Sequence, residues 1–89
     1  MEKLWVDFQN AGHEGVRLIC TGAVKELHDK AIKLHEGLQL IVWQDDEDSN
    51  GKADNLMVEA VVKYSFKDKC WVAQFDENKL MHESQLNKK

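Results

Sequence analysis

The chain has 89 residues, with 12 Lys and Arg against 16 Asp and Glu, for a formal net charge of −4 at pH 7. This length allows one domain with one modest core, and a hydrophobic content of 43% argues against wholesale disorder. The chain lacks the basic stripe that binds nucleic acids and anionic membranes, so we expect neither as a partner. No apolar run exceeds four residues, so no membrane-spanning segment is predicted.

Two short strands are predicted near the N-terminus, over Lys3–Phe8 and Val16–Cys20, because apolar and polar residues alternate in each. Gly12 and Gly15 lie between them and indicate a loop. The alternation predicts a core-facing side for each strand. Its members are Leu4, Val6, Phe8, Val16, Leu18 and Cys20.

One helix is predicted, from about Ala23 to Ala31 or Leu34, with Thr21 as its N-cap. Apolar residues recur there at steps of three and four, while charged residues fill the other side. Gly37 then indicates a helix stop or a turn before the next strand. The apolar positions of the helix are Val24, Leu27, Ala31 and Leu34.

Three further strands are predicted, over Leu38–Gln44, Leu56–Phe66 and Cys70–Asp76. The last two form an antiparallel hairpin across the polar turn Lys67–Lys69, and the length of Leu56–Phe66 predicts a bend or bulge within it. Leu80 and Met81 are expected to anchor a helical turn within 77–85. The core-facing residues of these strands are expected to be Leu38, Leu40, Val42, Leu56, Val58, Ala60, Val62, Tyr64, Phe66, Trp71, Ala73 and Phe75.

The predicted fold class is mainly β with one helix (α+β). It is a small, antiparallel, partly closed sheet of about five strands, with the helix between strands 2 and 3. Residues 1–86 form the domain and 87–89 a disordered tail. The strand order over residues 15–84 resembles a small SH3-like β-barrel, although segment 21–34 departs from it, since such barrels usually have a loop there. The resemblance implies a fold and carries no functional residue.

The acidic stretch 45–54 suggests one alternative function. Asp46, Asp48, Asn50 and Gly51 resemble the first half of an EF-hand calcium loop, whose alternate residues direct oxygens inward. The position that should carry the bidentate Glu is Met57, and the flanking segments are predicted strands. A solvated hairpin loop is the competing interpretation, and imitation of a polyanion toward a basic partner is a third.

Catalysis and cofactor binding are not expected. The four histidines are His13, His28, His35 and His82, and no second ligand pair accompanies them as a zinc site would require. No nucleophile or phosphate-loop motif occurs, and a chain this small has little wall for a pocket of about 300 Å³ or more.

The pair Cys20 and Cys70, without a secretion signal pattern, predicts reduced, buried thiols and a cytoplasmic setting. A Cys20–Cys70 disulfide is the alternative if the strands that carry these residues are neighbours.

Three large apolar residues are the candidate binding residues. Trp5, Trp43 and Ile41 lie opposite the predicted core-facing positions of their strands, so we expect them to face outward. Indoles are enriched at binding hot spots. The alternative is that the helix covers one indole, or that the sheet is buried on both faces. The sequence therefore predicts a non-catalytic interaction module whose partner is a second copy of the chain or another protein.

Overall fold

The computed structural model describes residues 1–86 and shows a mixed α+β chain built on one six-stranded sheet. The predicted helix lies between the second and third strands, as expected, and the predicted tail 87–89 lies outside the described residues. The elements are β1 (Glu2–Trp5), β2 (Val16–Arg17), α1 (Thr21–Asp29), β3 (Gln39–Gln44), β4 (Leu56–Ser65), β5 (Cys70–Gln74), a 3₁₀ turn (Glu77–Lys79), β6 (Met81–His82) and α2 (Glu83–Leu86).

The strand order of the sheet is β1-β3-β4-β5-β2, and β6 pairs with the beginning of β4. The sheet is not closed, because β1 and β2 lie at its two ends and no ladder within residues 1–86 joins them. The prediction of an entirely antiparallel sheet is wrong for one pair, since β1 and β3 are parallel, with Trp5 opposite Trp43. The long connection through β2 and α1 permits this, because it returns the chain in its original direction.

The predicted hairpin of β4 and β5 is confirmed. No bulge interrupts β4, because its pairs with β3 and with β5 run without a break, and the irregularity lies instead in the segment that faces it. Val61 is opposite Gln74 and Met57 is opposite Met81, so four residues along β4 correspond to seven along the facing segment. The three additional residues are accommodated where the 3₁₀ turn leaves the sheet between β5 and β6. The helical turn predicted around Met81 is therefore a strand at that residue.

The core lies on one face of the sheet, where the alternation placed it. Each large apolar side chain buried there contributes about 1.5–3 kcal/mol to folding. The predicted core residues that the structure buries are Leu4, Val6, Val16, Leu18, Leu40, Val42, Val58, Ala60, Val62 and Ala73.

The prediction fails at the end of β4. Phe66 is 84% exposed, and Ser65 is buried in its place. Phe66 follows the last pair of the ladder, Ser65 opposite Cys70, so no neighbouring strand covers its ring.

Helix α1 begins and ends at residues other than those predicted. Its N-cap is Cys20, with no side-chain capping bond, so the expected cap by Thr21 is wrong. At the other end Ala31 adopts a φ of 53°, and the Ile32 N–H donates to the Leu27 carbonyl at 2.9 Å. This left-handed stop ends the helix before Leu34.

Candidate functional site

The face of the sheet opposite the core carries a continuous row of large apolar side chains. The pairing registers place Trp5 beside Trp43, Trp43 beside Met57, and Met57 beside Met81. Met57 is buried and the other three are half-buried. We call these four residues the outer row. Antiparallel sheets commonly keep such a face polar and wet, so this row is an unusual feature.

A second set of residues continues the apolar surface along the strands. Ile41 lies between Lys3 on β1 and Glu59 on β4. Val61, two residues after Glu59 and on the same face of β4, is 42% exposed. A cavity of about 250 Å³ opens here against this part of the face. Its lining residues are Ile41, Met57, Val58, Glu59, Lys79 and Met81.

Trp5 is held by two elements outside the sheet. Its Nε1 donates to Asp45 Oδ1 at 2.8 Å, and its ring lies against Gly22 at the start of α1. The helix therefore covers part of this indole, which was the alternative the sequence left open. Trp5, Trp43 and Ile41 all lie on the face away from the core, as the alternation indicated. Their role in binding stays a prediction.

The other half of the outer face carries the polar residues Lys63 and Ser65 beside the buried Val72, and the loop before β2 covers it. Lys63 Nζ lies 3.4 Å from Glu14 Oε1, and Asp68 Oδ1 lies 2.8 Å from His13 Nδ1. Ser65, between these pairs, is completely buried. A hydrogen bond from Ser65 lowers the pKa of the Glu14 carboxyl below its ordinary value. A hydrogen bond from His13 lowers the pKa of the Asp68 carboxyl in the same way. Because a loop occupies this half, the apolar half is the available surface.

This polar cluster, which the sequence did not suggest, is not arranged for nucleophilic catalysis. Asp68 stands between Ser65 and His13, with its backbone N–H donating to Ser65 Oγ at 3.1 Å, whereas an activated serine needs the imidazole beside it.

Cys70 and Cys20 are free, half-buried thiols, so the alternative disulfide is not formed. Burial, and secondarily Asp68, raise the pKa of Cys70, which disfavours its nucleophilic thiolate form.

Two carboxylates of the acidic stretch 45–54 form hydrogen bonds with neighbouring groups of the protein. Asp48 Oδ1 accepts hydrogen bonds from the backbone N–H groups of Asn50 and Lys52 at 2.9 and 3.0 Å. Asp46 Oδ2 lies 2.7 Å from His82 Nε2, and this hydrogen bond lowers the pKa of Asp46. Within residues 1–86 no group of three His, Cys, Asp or Glu side chains is placed to hold a metal ion. The calcium hypothesis therefore gains no support here.

One open cleft beside the loop before β2 has a volume of about 810 Å³, which is more space than the length of the chain led us to expect. Phe8, Phe75 and Leu80 are among its lining residues. Three ionisable residues, His13, Glu14 and Glu77, also line this cleft, whereas no Ser, Thr, Cys or Lys is found among its lining residues within 1–86.

No helix within the described part of the chain is both long enough and apolar enough to cross a bilayer.

Comparison with known proteins adds no assignment: no family model, no curated protein and no solved structure matches this chain.

Proposed function

We propose that this protein is a non-catalytic, self-associating interaction module, whose contact surface is the outer row together with Ile41. One observation carries the proposal: two indoles and two methionines from four strands lie side by side on the sheet face opposite the core. Trp and Met are enriched in the cores of protein interfaces. The polar half of the same face is already covered by a loop, so a partner would meet the apolar half.

A second copy of the chain fits the charges around this surface. Ile41 has Lys3 on one side and Glu59 on the other, and all three project from the outer face. If a two-fold axis ran along β3 near Ile41, Lys3 of each copy would face Glu59 of its partner. The same rotation would place each Trp5 opposite the other copy's Met57, a favourable contact between an aromatic ring and a thioether.

The size of the chain also favours self-association. A domain of 89 residues buries a smaller fraction of its surface than a larger domain does. Pairing two outer faces would give each copy a second apolar layer over β3 and β4. The likeness to an SH3-like barrel remains a proposal based on strand order, because the sheet of residues 1–86 is not closed, and the proposed surface does not depend on it.

The proposal is tested by sedimentation velocity over a range of concentrations. We expect the wild-type chain to form a dimer and Ile41→Lys to weaken dimerisation, because it places a charge in the centre of the contact. Phe66→Lys is the matched control, since Phe66 is an exposed apolar residue just beyond the far end of β4. A wild-type chain that stays monomeric, or an Ile41→Lys variant that dimerises like wild type, would overturn the proposal.

A charge exchange tests the two-fold arrangement. Lys3→Glu and Glu59→Lys should each weaken the dimer, because each creates like charges across the interface. The double variant restores opposite charges and should dimerise more strongly than either single variant. If the double variant is weaker than both, the axis near Ile41 is wrong.

A further inference from the structure

The outer edges of the two outermost strands, β1 and β2, are covered in different ways. At β2 the main chain provides a neighbour, because the Arg17 N–H donates to the Asn10 carbonyl at 2.9 Å and Ala11 bridges to Val16. At β1 the strand order of the described residues ends, and α1 packs there instead. An open strand edge is a template for pairing with another chain, so the way in which β1 is closed has consequences.

Two main-chain groups of β1 are bonded by side chains from α1 and its C-cap. The Trp5 N–H donates to Glu26 Oε2 at 3.0 Å, and Lys30 Nζ donates to the Lys3 carbonyl at 2.7 Å. Lys30 Nζ also lies 2.7 Å from Glu26 Oε1, which joins the two side chains. We call Glu26 and Lys30, bonded in this way, the edge clasp.

The bonded groups are those that point away from the sheet. Val6 donates its N–H to the Trp43 carbonyl at 2.9 Å, so even-numbered residues of β1 bond toward β3 and odd-numbered residues face the open edge. The spacings also match, because four helical residues span about 6 Å and two strand residues about 6.6 Å. The carboxylate and the ammonium thus stand where a neighbouring strand would place a carbonyl and an N–H.

We infer that the edge clasp closes a strand-addition site, and that the occupant it excludes is β1 of a second copy of this chain. The two main-chain groups held by the clasp are a donor, the Trp5 N–H, and an acceptor, the Lys3 carbonyl, so the same edge of a second copy can pair with them. In an antiparallel pair centred on Leu4, the Trp5 N–H of each copy faces the Lys3 carbonyl of the other, and each Lys3 side chain faces a Trp5 ring. This inference rests on the hydrogen bonds of β1 and not on the proposed function.

The test uses variants built on Ile41→Lys, which separates edge pairing from contact through the outer row. Glu26→Ala combined with Lys30→Ala removes the clasp. Lys25→Ala combined with Asp29→Ala is the matched control, because it removes a basic and an acidic residue at the same spacing on the same helix. Glu26→Gln combined with Lys30→Arg retains an acceptor and a donor, so it should keep the edge closed.

Two readouts identify the interface. In dilute solution, the Trp5 amide should exchange with solvent roughly tenfold faster in the clasp variant than in the control, because it has lost a hydrogen bond to a carboxylate. As concentration rises, sedimentation should show a dimer of the clasp variant only. The Trp5 amide should then become protected again, since pairing supplies a new acceptor.

A clasp variant that remains monomeric, with a Trp5 amide that exchanges rapidly at every concentration, would overturn the inference. A dimer in which that amide stays unprotected would also overturn it, because the interface would lie elsewhere. If circular dichroism shows that the double variant does not fold, Lys30→Ala alone takes its place. That variant frees the Lys3 carbonyl, and we expect weaker but measurable dimerisation, whereas none would contradict the inference.

Discussion

The ring of Trp5 lies so close to Gly22 that a Cβ built on this glycine would be 2.8 Å from two ring carbons. The glycine is the reason that the start of α1 can pack against the outer row. Trp5 is held in the same place by its hydrogen bond to Asp45, so the ring has little room to withdraw. This contact links the helix, the edge strand and the acidic stretch in one arrangement.

We expect Gly22→Ala to destabilise the protein. Overpacking against the ring costs about 1–3 kcal/mol. That exceeds the gain of up to about 1 kcal/mol from replacing a helical glycine by alanine. Urea denaturation should therefore show a lower free energy of unfolding. In a Trp5→Ala background the sign should reverse, because the ring is absent, and a loss of equal size there would show that the contact is not the cause.

The left-handed residue at the end of α1 predicts a stabilising substitution. Ala31 has a φ of 53°, a conformation that disfavours a Cβ. Ala31→Gly should raise the free energy of unfolding by about 0.5–1 kcal/mol, measured by urea denaturation. The control is Ala53→Gly, at an exposed residue without a positive φ, where glycine should destabilise slightly. Equal effects at both sites would contradict the assignment of strain to Ala31.

The contact between Asp68 and His13 predicts a pH dependence of stability. The hydrogen bond from His13 lowers the pKa of Asp68 in the folded protein. A depressed carboxyl pKa stabilises the fold above the ordinary value of about 3.9, and this contribution is lost as pH falls through the folded value. The free energy of unfolding should therefore decrease below about pH 4, and Asp68→Asn should make this decrease shallower.

Glu14, Asp46 and Asp54 have pKa values lowered in the same direction, so the decrease should not vanish in Asp68→Asn. Thermal or urea unfolding between about pH 3 and pH 6 provides the measurement. A profile identical to that of the wild type would show that Asp68 contributes nothing to the acid sensitivity.

Two substitutions test where the core ends. Leu40 is completely buried, and Leu40→Ala should cost about 2–5 kcal/mol because it removes apolar contact and leaves a cavity. Phe66 meets Tyr64 edge-on at 5.2 Å but is 84% exposed, so Phe66→Ala should cost less than about 1 kcal/mol. Comparable losses for the two substitutions in denaturant unfolding would place Phe66 in the core after all.

The alternation of side chains determined which residues of each strand face the core, since successive residues of a strand point to opposite faces. Leu4, Leu40, Val58, Val62 and Ala73 could therefore be assigned from the sequence, and Trp5, Trp43 and Ile41 could be placed on the opposite face. This rule is local and ends with the strand. It failed at Phe66, which lies just beyond the end of β4.

Only the tertiary structure decided which strands are neighbours and in which register. The parallel pairing of Trp5 with Trp43, and the addition of Met81 beside Met57, depend on residues far apart in the chain, and no local periodicity specifies them. The outer row, the loop over Ser65 and the edge clasp each join segments separated by long connections. Local periodicity determined which way each side chain points, whereas long-range backbone pairing decided which of those side chains meet.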